Sequence, residues 1–139
     1  MESKELGNLG ERMACEYLVN KGYKILGKNY SIKLGKNKIF GEIDIIAKRR
    51  WVLGNLFRND KTIHFVEVKT ISGSENNFYP EDKVDYRKRD KLKKLCLVWL
   101  EKNKFPEYYP YQIDVIGILI NQTTGKPTIH HFENAVEGS

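Results

Sequence analysis

Thr62-Ile63-His64-Phe65-Val66-Glu67-Val68-Lys69-Thr70-Ile71 is the stretch that decides how the chain is read. It is rich in β-branched and aromatic residues, the composition of a strand. Apolar residues fall on both sides of its alternation, as they do in a central strand covered on both faces. Glu67 and Lys69 interrupt the run two positions apart, which on a strand places them on one face. Residues 38–47 have the same character and contain Gly41-Glu42-Ile43-Asp44-Ile45-Ile46-Ala47. The same alternation assigns Glu42 and Asp44 to one face, and Ile43 and Ile45 to the other.

Outward from these two strands, residues 23–32 form a third, joined to residues 38–47 through Gly35-Lys36-Asn37, a plausible hairpin connection. Before it, Leu6, Leu9, Gly10, Met13, Ala14 and Tyr17 recur at spacings of three and four, which predicts a helix ended by Gly22. Residues 48–61 read as a long hairpin loop. A polar loop over 72–77 and Pro80 lead to a second helix over 82–102, whose apolar face is Leu92, Leu95, Cys96 and Trp99. Two further strands, 111–120 and 128–132, are joined by Thr124-Gly125-Lys126. The expectation is an α/β fold of order α-β-β-β-α-β-β, a central mixed sheet flanked by helices. A length of 139 residues suits one domain, and no repeat or linker divides it.

The chain carries 24 lysines and arginines against 18 acidic residues, a net charge of +6, which favours polyanionic partners. Its first residues contain no apolar run that could serve as a signal peptide, and no stretch approaches membrane-spanning length. A cytoplasmic location without membrane attachment is therefore expected. Cys15 and Cys96 fall within helical patterns, far apart and near no ligand-like histidine spacing, and read as thiols rather than as a disulfide or zinc site.

Acidic residues inside apolar strands are costly unless paired or bound to a metal. If Asp44 and Glu67 approach to ~4 Å, their repulsion is about 4 kcal/mol at an intermediate effective dielectric. A divalent ion offsets that repulsion, and one or two carboxylates with water and phosphate oxygens are the usual magnesium arrangement. Such an ion polarises a phosphodiester and lowers the pKa of an attacking water. Lys69 on the Glu67 face would orient or deprotonate that water, or neutralise developing charge, roles suited to a lysine whose pKa shifts when desolvated. By itself, Glu-x-Lys on a strand is an ordinary ion pair. Asp44, 23 positions earlier on a second apolar strand, makes the metal reading the stronger one.

These residues resemble the PD-(D/E)XK nuclease superfamily, whose core has a similar helix, three-strand, helix, strand order. More closely, the chain resembles the bacterial YraN-like family, related to Holliday junction resolvase-like endonucleases. The resemblance begins at Gly10-Glu11, Ala14, Tyr17-Leu18, Gly22-Tyr23, Ile25-Leu26 and Asn29-Tyr30. It continues through Gly41-Glu42-Ile43-Asp44, Phe65-Val66-Glu67-Val68-Lys69, Val84, Lys88, Leu92 and Ile113-Asp114-Val115 to His131 and Asn134-Ala135. It implies a restriction-endonuclease-like core and metal ligation by Asp44 and Glu67, with the Val68 carbonyl as a backbone ligand. It further implies Lys69 as the catalytic lysine and Glu11 as a helix-borne acidic residue of the site. On a helical wheel Glu11 lies beside Leu18 at the margin of the apolar stripe, which also suits a capping or solvated role. Glu42 matches the pattern too, and could instead pair with a basic neighbour. The chain departs from the resemblance at Ile43, where the superfamily motif has proline, at Gln112, where relatives usually have arginine, and in the length of the 48–61 loop.

The run Arg87-Lys88-Arg89-Asp90-Lys91-Leu92-Lys93-Lys94 is the densest basic stretch, and such a run is ordinarily a solvated helix face. Lys88 precedes Leu92, Leu95 and Trp99 by helical steps and so points toward the sheet, a charge set against the local pattern. Lys88, with Arg87 and Lys91 beside it, is read as contacting phosphate. Arg49 and Arg50 make the long loop basic, and Trp51 and Phe57 interleave aromatics that could stack on bases, although cross-strand packing is the commoner use. His64, His130 and His131 sit in strands without metal-ligand spacing and are assigned no catalytic role. The function expected is a Mg2+- or Mn2+-dependent endonuclease that hydrolyses phosphodiester bonds in DNA, with branched or otherwise structured DNA among its substrates and a homodimer suited to symmetric cleavage of a junction. The alternative is a nucleic-acid-binding module of the same fold without significant catalysis, and a third is an assembly protein with Glu67 and Lys69 as a plain ion pair.

Overall fold

Alternating and helical apolar spacings each find a partner surface in the folded chain. The structure, a computed structural model, describes residues 2–50, 60–73 and 86–135, with the side chains of 86 and 87 left aside. The elements are α1 (Ser3–Asn20), β1 (Tyr23–Gly35), β2 (Lys38–Arg49), β3 (Ile63–Gly73), α2 (Tyr86–Lys102), β4 (Tyr111–Asn121) and β5 (Pro127–Phe132). The order of helices and strands is the one the sequence predicts. Among the described residues, no helix is long and apolar enough to cross a membrane.

The sheet has the order β1-β2-β3-β4-β5. Its β1/β2, β2/β3 and β4/β5 pairs are antiparallel, and β3/β4 is parallel, so the sheet is mixed. Parallel neighbours need a crossover rather than a tight turn, and the chain between β3 and β4 contains α2. On one face Ala14 and Leu18 of α1 pack with Ile45, Ala47, Val66, Ile116 and Ile118. On the other, Leu92, Leu95, Cys96 and Trp99 of α2 pack with Ile46, Ile63, Phe65, Ile113 and Val115. Phe65 stands edge-on to both Trp99 and Tyr111 at centroid separations of 5.7 and 5.8 Å, geometry that aromatic quadrupoles favour.

One expectation fails within β2. Strict alternation puts Ile43 and Ile45 on one face, yet Ile43 belongs to the α2-side core and Ile45 to the α1-side core. Opposite them, Lys28 pairs with Ile45 and Tyr30 with Ile43, and Asn29 between them has a left-handed backbone, φ 50°. Asparagine tolerates that conformation better than most residues. At this point the β2 alternation slips by one step, so Asp44 and Ile45, though adjacent in sequence, both look toward α1.

The β2/β3 ladder is short, running only from Lys48↔Ile63 to Ile45↔Val66. From Asp44 onward the two strands part. The β1/β2 pairing continues to Gly35↔Lys38, so this hairpin projects beyond its contact with β3.

Candidate functional site

Where β2 leaves β3, the backbone N–H of Val68 donates to Asp44 Oδ2 at 2.8 Å. A side-chain carboxylate thus receives a strand donor that lies beyond the end of the β2/β3 ladder. Glu11 reaches the same place from α1, and one carboxylate oxygen each from Glu11, Glu42 and Asp44 lies within 4.8 Å of the others. The helix approaches closely because position 10 is glycine: a Cβ there would stand 1.7 Å from Thr70 Oγ1. With its amide nitrogen turned toward the carboxylates, Asn29 donates to Glu11 Oε2 at 3.2 Å and Glu42 Oε1 at 2.8 Å. A cleft of about 220 Å³ opens on Asp44, walled by Asn8, Glu11, Arg12, Cys15, Lys28 and Asn29.

The charges here are poorly compensated. Asp44 is pushed up to about 8, first by burial and then by the negative charge of Glu67, against the opposing Val68 hydrogen bond. Glu11 is also raised, by burial and then by the charge of Glu42. Cys96 is a buried free thiol, as the sequence suggested for both cysteines, whereas Cys15 in the cleft wall is only half-buried, and burial raises the pKa of both.

Glu67 and Lys69 reach the site from the opposite side of the sheet. Lys88 Nζ of α2 donates to Glu67 Oε1 at 2.6 Å, and Lys69 Nζ lies 3.3 Å from the same oxygen. Lys88 therefore points toward the sheet as its place in the helical pattern requires. Burial lowers the pKa of Lys69, and the neighbouring Lys88 lowers it further. Burial acts the same way on Lys88, but the hydrogen bond to Glu67 outweighs it and its pKa rises. Two lysines sharing one acceptor are thereby made unequal: Lys88 holds its proton more tightly, and Lys69 gives its own up more readily. Strand alternation alone does not assemble this group, because Asp44, Glu11 and Glu42 belong to the α1 side. The parting of β2 from β3 joins the two sides.

Other predicted contacts lie elsewhere. Arg49, five positions along β2 from Asp44, donates through Nε to Tyr23 Oη at 3.0 Å and pairs with Glu133 and, at 3.7 Å, Asp60. Its guanidinium is thus drawn into a separate polar group rather than toward the carboxylates. Arg50 and Lys91 are exposed. Arg87 lies in α2, with its side chain outside the described residues, as are Lys83, Val84, Trp51, Phe57, Arg58 and most of the 48–61 loop.

A second buried carboxylate, Asp114 of β4, has a different setting. It is fully buried, and its Oδ2 meets His64 Nδ1 at 2.7 Å and His131 Nε2 at 2.9 Å. Its Oδ1 accepts from Gln112 Nε2 at 2.7 Å and from the Asn134 backbone N–H at 2.8 Å. Burial alone would raise this carboxyl, but the hydrogen bonds from His131 and His64 outweigh it and hold Asp114 well below the usual carboxylate range. The sequence reading gave these histidines no catalytic role and did not foresee this group, because its members come from β3, β4 and β5 and share no local spacing. The available signal was one charge, Asp114, inside the otherwise apolar run 113–119.

Residues 10–118 match the family described as Uncharacterised protein family UPF0102. The match takes in Glu11, Glu42, Asp44, Glu67, Lys69 and Lys88. A UPF0102 protein of Thermodesulfovibrio yellowstonii is 42% identical over 131 residues, covering 94% of this chain and 95% of that protein. Another, of Desulforamulus reducens, is 37% identical over 138 residues and 98% of each chain. A third, of Caldanaerobacter subterraneus subsp. tengcongensis, is 36% identical over 136 residues and 97% of each.

Proposed function

The chain belongs to the UPF0102 family, and we propose that it is a metal-dependent endonuclease-like protein that hydrolyses phosphodiester bonds in DNA, with branched or otherwise structured DNA as its substrate class. One observation carries the reading: Asp44, pushed up to about 8 among Glu11, Glu42 and Glu67, stands at the strand split on the Val68 N–H, and Glu67 in turn is paired with Lys69. Carboxylates brought together with too little positive charge fit a hard divalent cation, whose preferred ligands are oxygens. Asp44 and Glu67 would hold Mg2+ or Mn2+, with the Val68 carbonyl as a backbone ligand and Glu11 and Glu42 close by. When bound, the ion supplies Lewis acidity toward a phosphodiester oxygen and toward water.

The rest belongs to the chain itself. Lys69, with its lowered pKa, is suited to take a proton from the attacking water through Nζ. Lys88, with its raised pKa, stays charged to meet a phosphate and fixes Glu67 through its hydrogen bond. The fold belongs with the restriction-endonuclease-like cores of the PD-(D/E)XK superfamily in this reading, and a homodimer would present two such sites to opposed strands of a junction.

The test is cleavage of linear, supercoiled, single-stranded and four-way-junction DNA in Mg2+ or Mn2+. Lys69→Ala should lower the rate by about 10²–10⁴-fold, with DNA affinity in EDTA unchanged. Cleavage that survives this change refutes the assignment of Lys69. A second reading, a nucleic-acid-binding module without significant turnover, draws on the fact that Lys88 and Lys69 already neutralise Glu67. DNA binding with no cleavage across the panel would establish it.

A further inference from the structure

The carboxylates of the proposed site repel a phosphate backbone, and Lys69 and Lys88 are shared with Glu67, so further affinity for DNA must come from neighbouring surface. The β1/β2 hairpin begins at that site: Ser31 pairs with Glu42, and the ribbon runs on to Gly35↔Lys38 without a β3 partner. At roughly 3.4 Å per residue, it extends about 13 Å past Glu42. Residues 33–39 are all exposed. They contain Lys33, Lys36 and Lys38, and residues 31–40 include no acidic side chain. Leu34 and Ile39 are exposed at 63% and 58%, two large apolar side chains left in water at the end of a charged ribbon.

The arm is anchored at its base, because Ile32 and Phe40 pack against the α2-side core. A two-stranded ribbon standing alone has little stability of its own. Its persistence past the sheet, with lysines and apolar residues together at the tip, calls for a partner that is both anionic and able to receive apolar groups. DNA meets both requirements: phosphates accept the lysines, and unstacked bases at a branch point accept aliphatic side chains.

We propose that the β1/β2 arm is a DNA-gripping ribbon in which Lys33, Lys36 and Lys38 hold the backbone beside the acidic site, while Leu34 and Ile39 lie against the opened bases of a branch. This rests on the reading of the protein as one that acts on DNA. Binding is measured in EDTA, by fluorescence anisotropy, with a labelled four-way junction and a linear duplex of the same arm sequence, so that cleavage plays no part. Lys33→Glu/Lys36→Glu/Lys38→Glu should weaken binding to both DNAs by more than about tenfold. The slope of log affinity against log salt should fall by roughly 2–3, at about 0.9 per phosphate contact for duplex DNA. A charge-matched control, Lys4→Glu/Lys102→Glu/Lys126→Glu, changes exposed lysines of α1, α2 and the β4/β5 turn and should keep the wild-type slope. Leu34→Asn/Ile39→Asn should remove the preference for junction over duplex while leaving duplex affinity within twofold.

An arm variant no weaker than the charge-matched control overturns the proposal, and an undiminished junction preference in the Leu34/Ile39 variant overturns the role of the apolar pair. Sedimentation provides a further check: a wild-type dimer that the Leu34/Ile39 variant turns into a monomer identifies the patch as a contact between copies and also overturns it. Cleavage in Mg2+, compared with Asp44→Asn, is scored separately. Arm-dependent binding without cleavage leaves this inference standing and defeats the endonuclease reading, and cleavage with arm-independent binding does the reverse.

Discussion

Asp44 and Asp114 are carboxylates on strands of one sheet, and their surroundings drive them in opposite directions. Asp114 is enclosed by two imidazoles, an amide and a backbone N–H, which spread its charge over four donors. Asp44 has the Val68 N–H and, around it, the carboxylates of Glu11, Glu42 and Glu67. One is held well below the usual range and the other is pushed up to about 8. Burial is common to both, so it is not what separates a carboxylate held ionised from one whose ionisation is opposed. The separating quantity is the balance of donors against neighbouring negative charge. Asp114 has that balance within the fold, whereas the one hydrogen bond to Asp44, from Val68, does not offset burial and the neighbouring carboxylates.

The largest effect should come from removing the satisfied member. Asp114→Ala leaves His64, His131 and the Asn134 amide facing a vacated centre, and should cost about 3–5 kcal/mol in urea unfolding. A loss below about 1 kcal/mol would show that the network is incidental to stability. The pH dependence follows in sign. The folded-state carboxyl lies below its ordinary value of 3.8, so the Asp114 contribution is present above that pH and is lost as pH falls through the folded value.

Next is the approach of α1. Gly10→Ala brings a methyl group into Thr70, and the helix or β3 must yield, at about 1–3 kcal/mol. If the site depends on that approach, the change also weakens the Mg2+ response, because Glu11 is the next residue. Stability loss with an intact metal response would detach Glu11 from the site.

Metal should then distinguish the two aspartates directly. Mg2+ at ten times its dissociation constant should stabilise the wild-type protein by about 1.4 kcal/mol, seen as a raised Tm. Asp44→Asn should abolish the response. A wild-type Tm indifferent to both Mg2+ and Mn2+ removes the basis for a metal centre.

The smallest effect is the behaviour of Asp44 without metal. Its folded value is raised from 3.8 to about 8, so the folded state binds more protons than the unfolded state across that window, and stability falls as pH rises through it. Asp44→Asn lacks this loss and should be the more stable protein at pH 8. One pKa unit corresponds to about 1.4 kcal/mol, and solvent entering the cleft screens much of the shift, leaving a gain of about 1 kcal/mol. A variant less stable than wild type under these conditions would mean that Asp44 is satisfied after all.

Much of this was legible in the sequence because it depends on local period. The helices, the strands and their order followed from spacings in single segments, and Lys88 stood out as a charge on an apolar stripe. What escaped was set by relations between segments. Ile43 and Ile45 part company at a break in the β2 alternation that lies opposite Asn29, a left-handed residue on another strand. The Asp114 group draws on three strands, and the Arg49 pairing with Glu133 spans 84 positions. Alternation placed Glu42 with Asp44 and Glu67 with Lys69, but it could not foresee that β2 and β3 separate at Asp44.

The parallel pairing of β3 with β4 also bears on how the molecule comes together. Ile63 and Tyr111 are partners 48 positions apart (111 − 63), whereas β1 and β2 join through a turn of two residues. Closing a long loop costs more entropy than closing a short one, and distant pairings form slowly. The hairpin bearing Glu42 and Asp44 can thus form from neighbours in sequence, while full docking of the strand bearing Glu67 waits on the crossover. The carboxylates of Asp44 and Glu67 meet across β2 and β3, whose ladder closes between Lys48 and Ile63, so their repulsion must be met before the longer β3/β4 pairing is complete or be relieved by it.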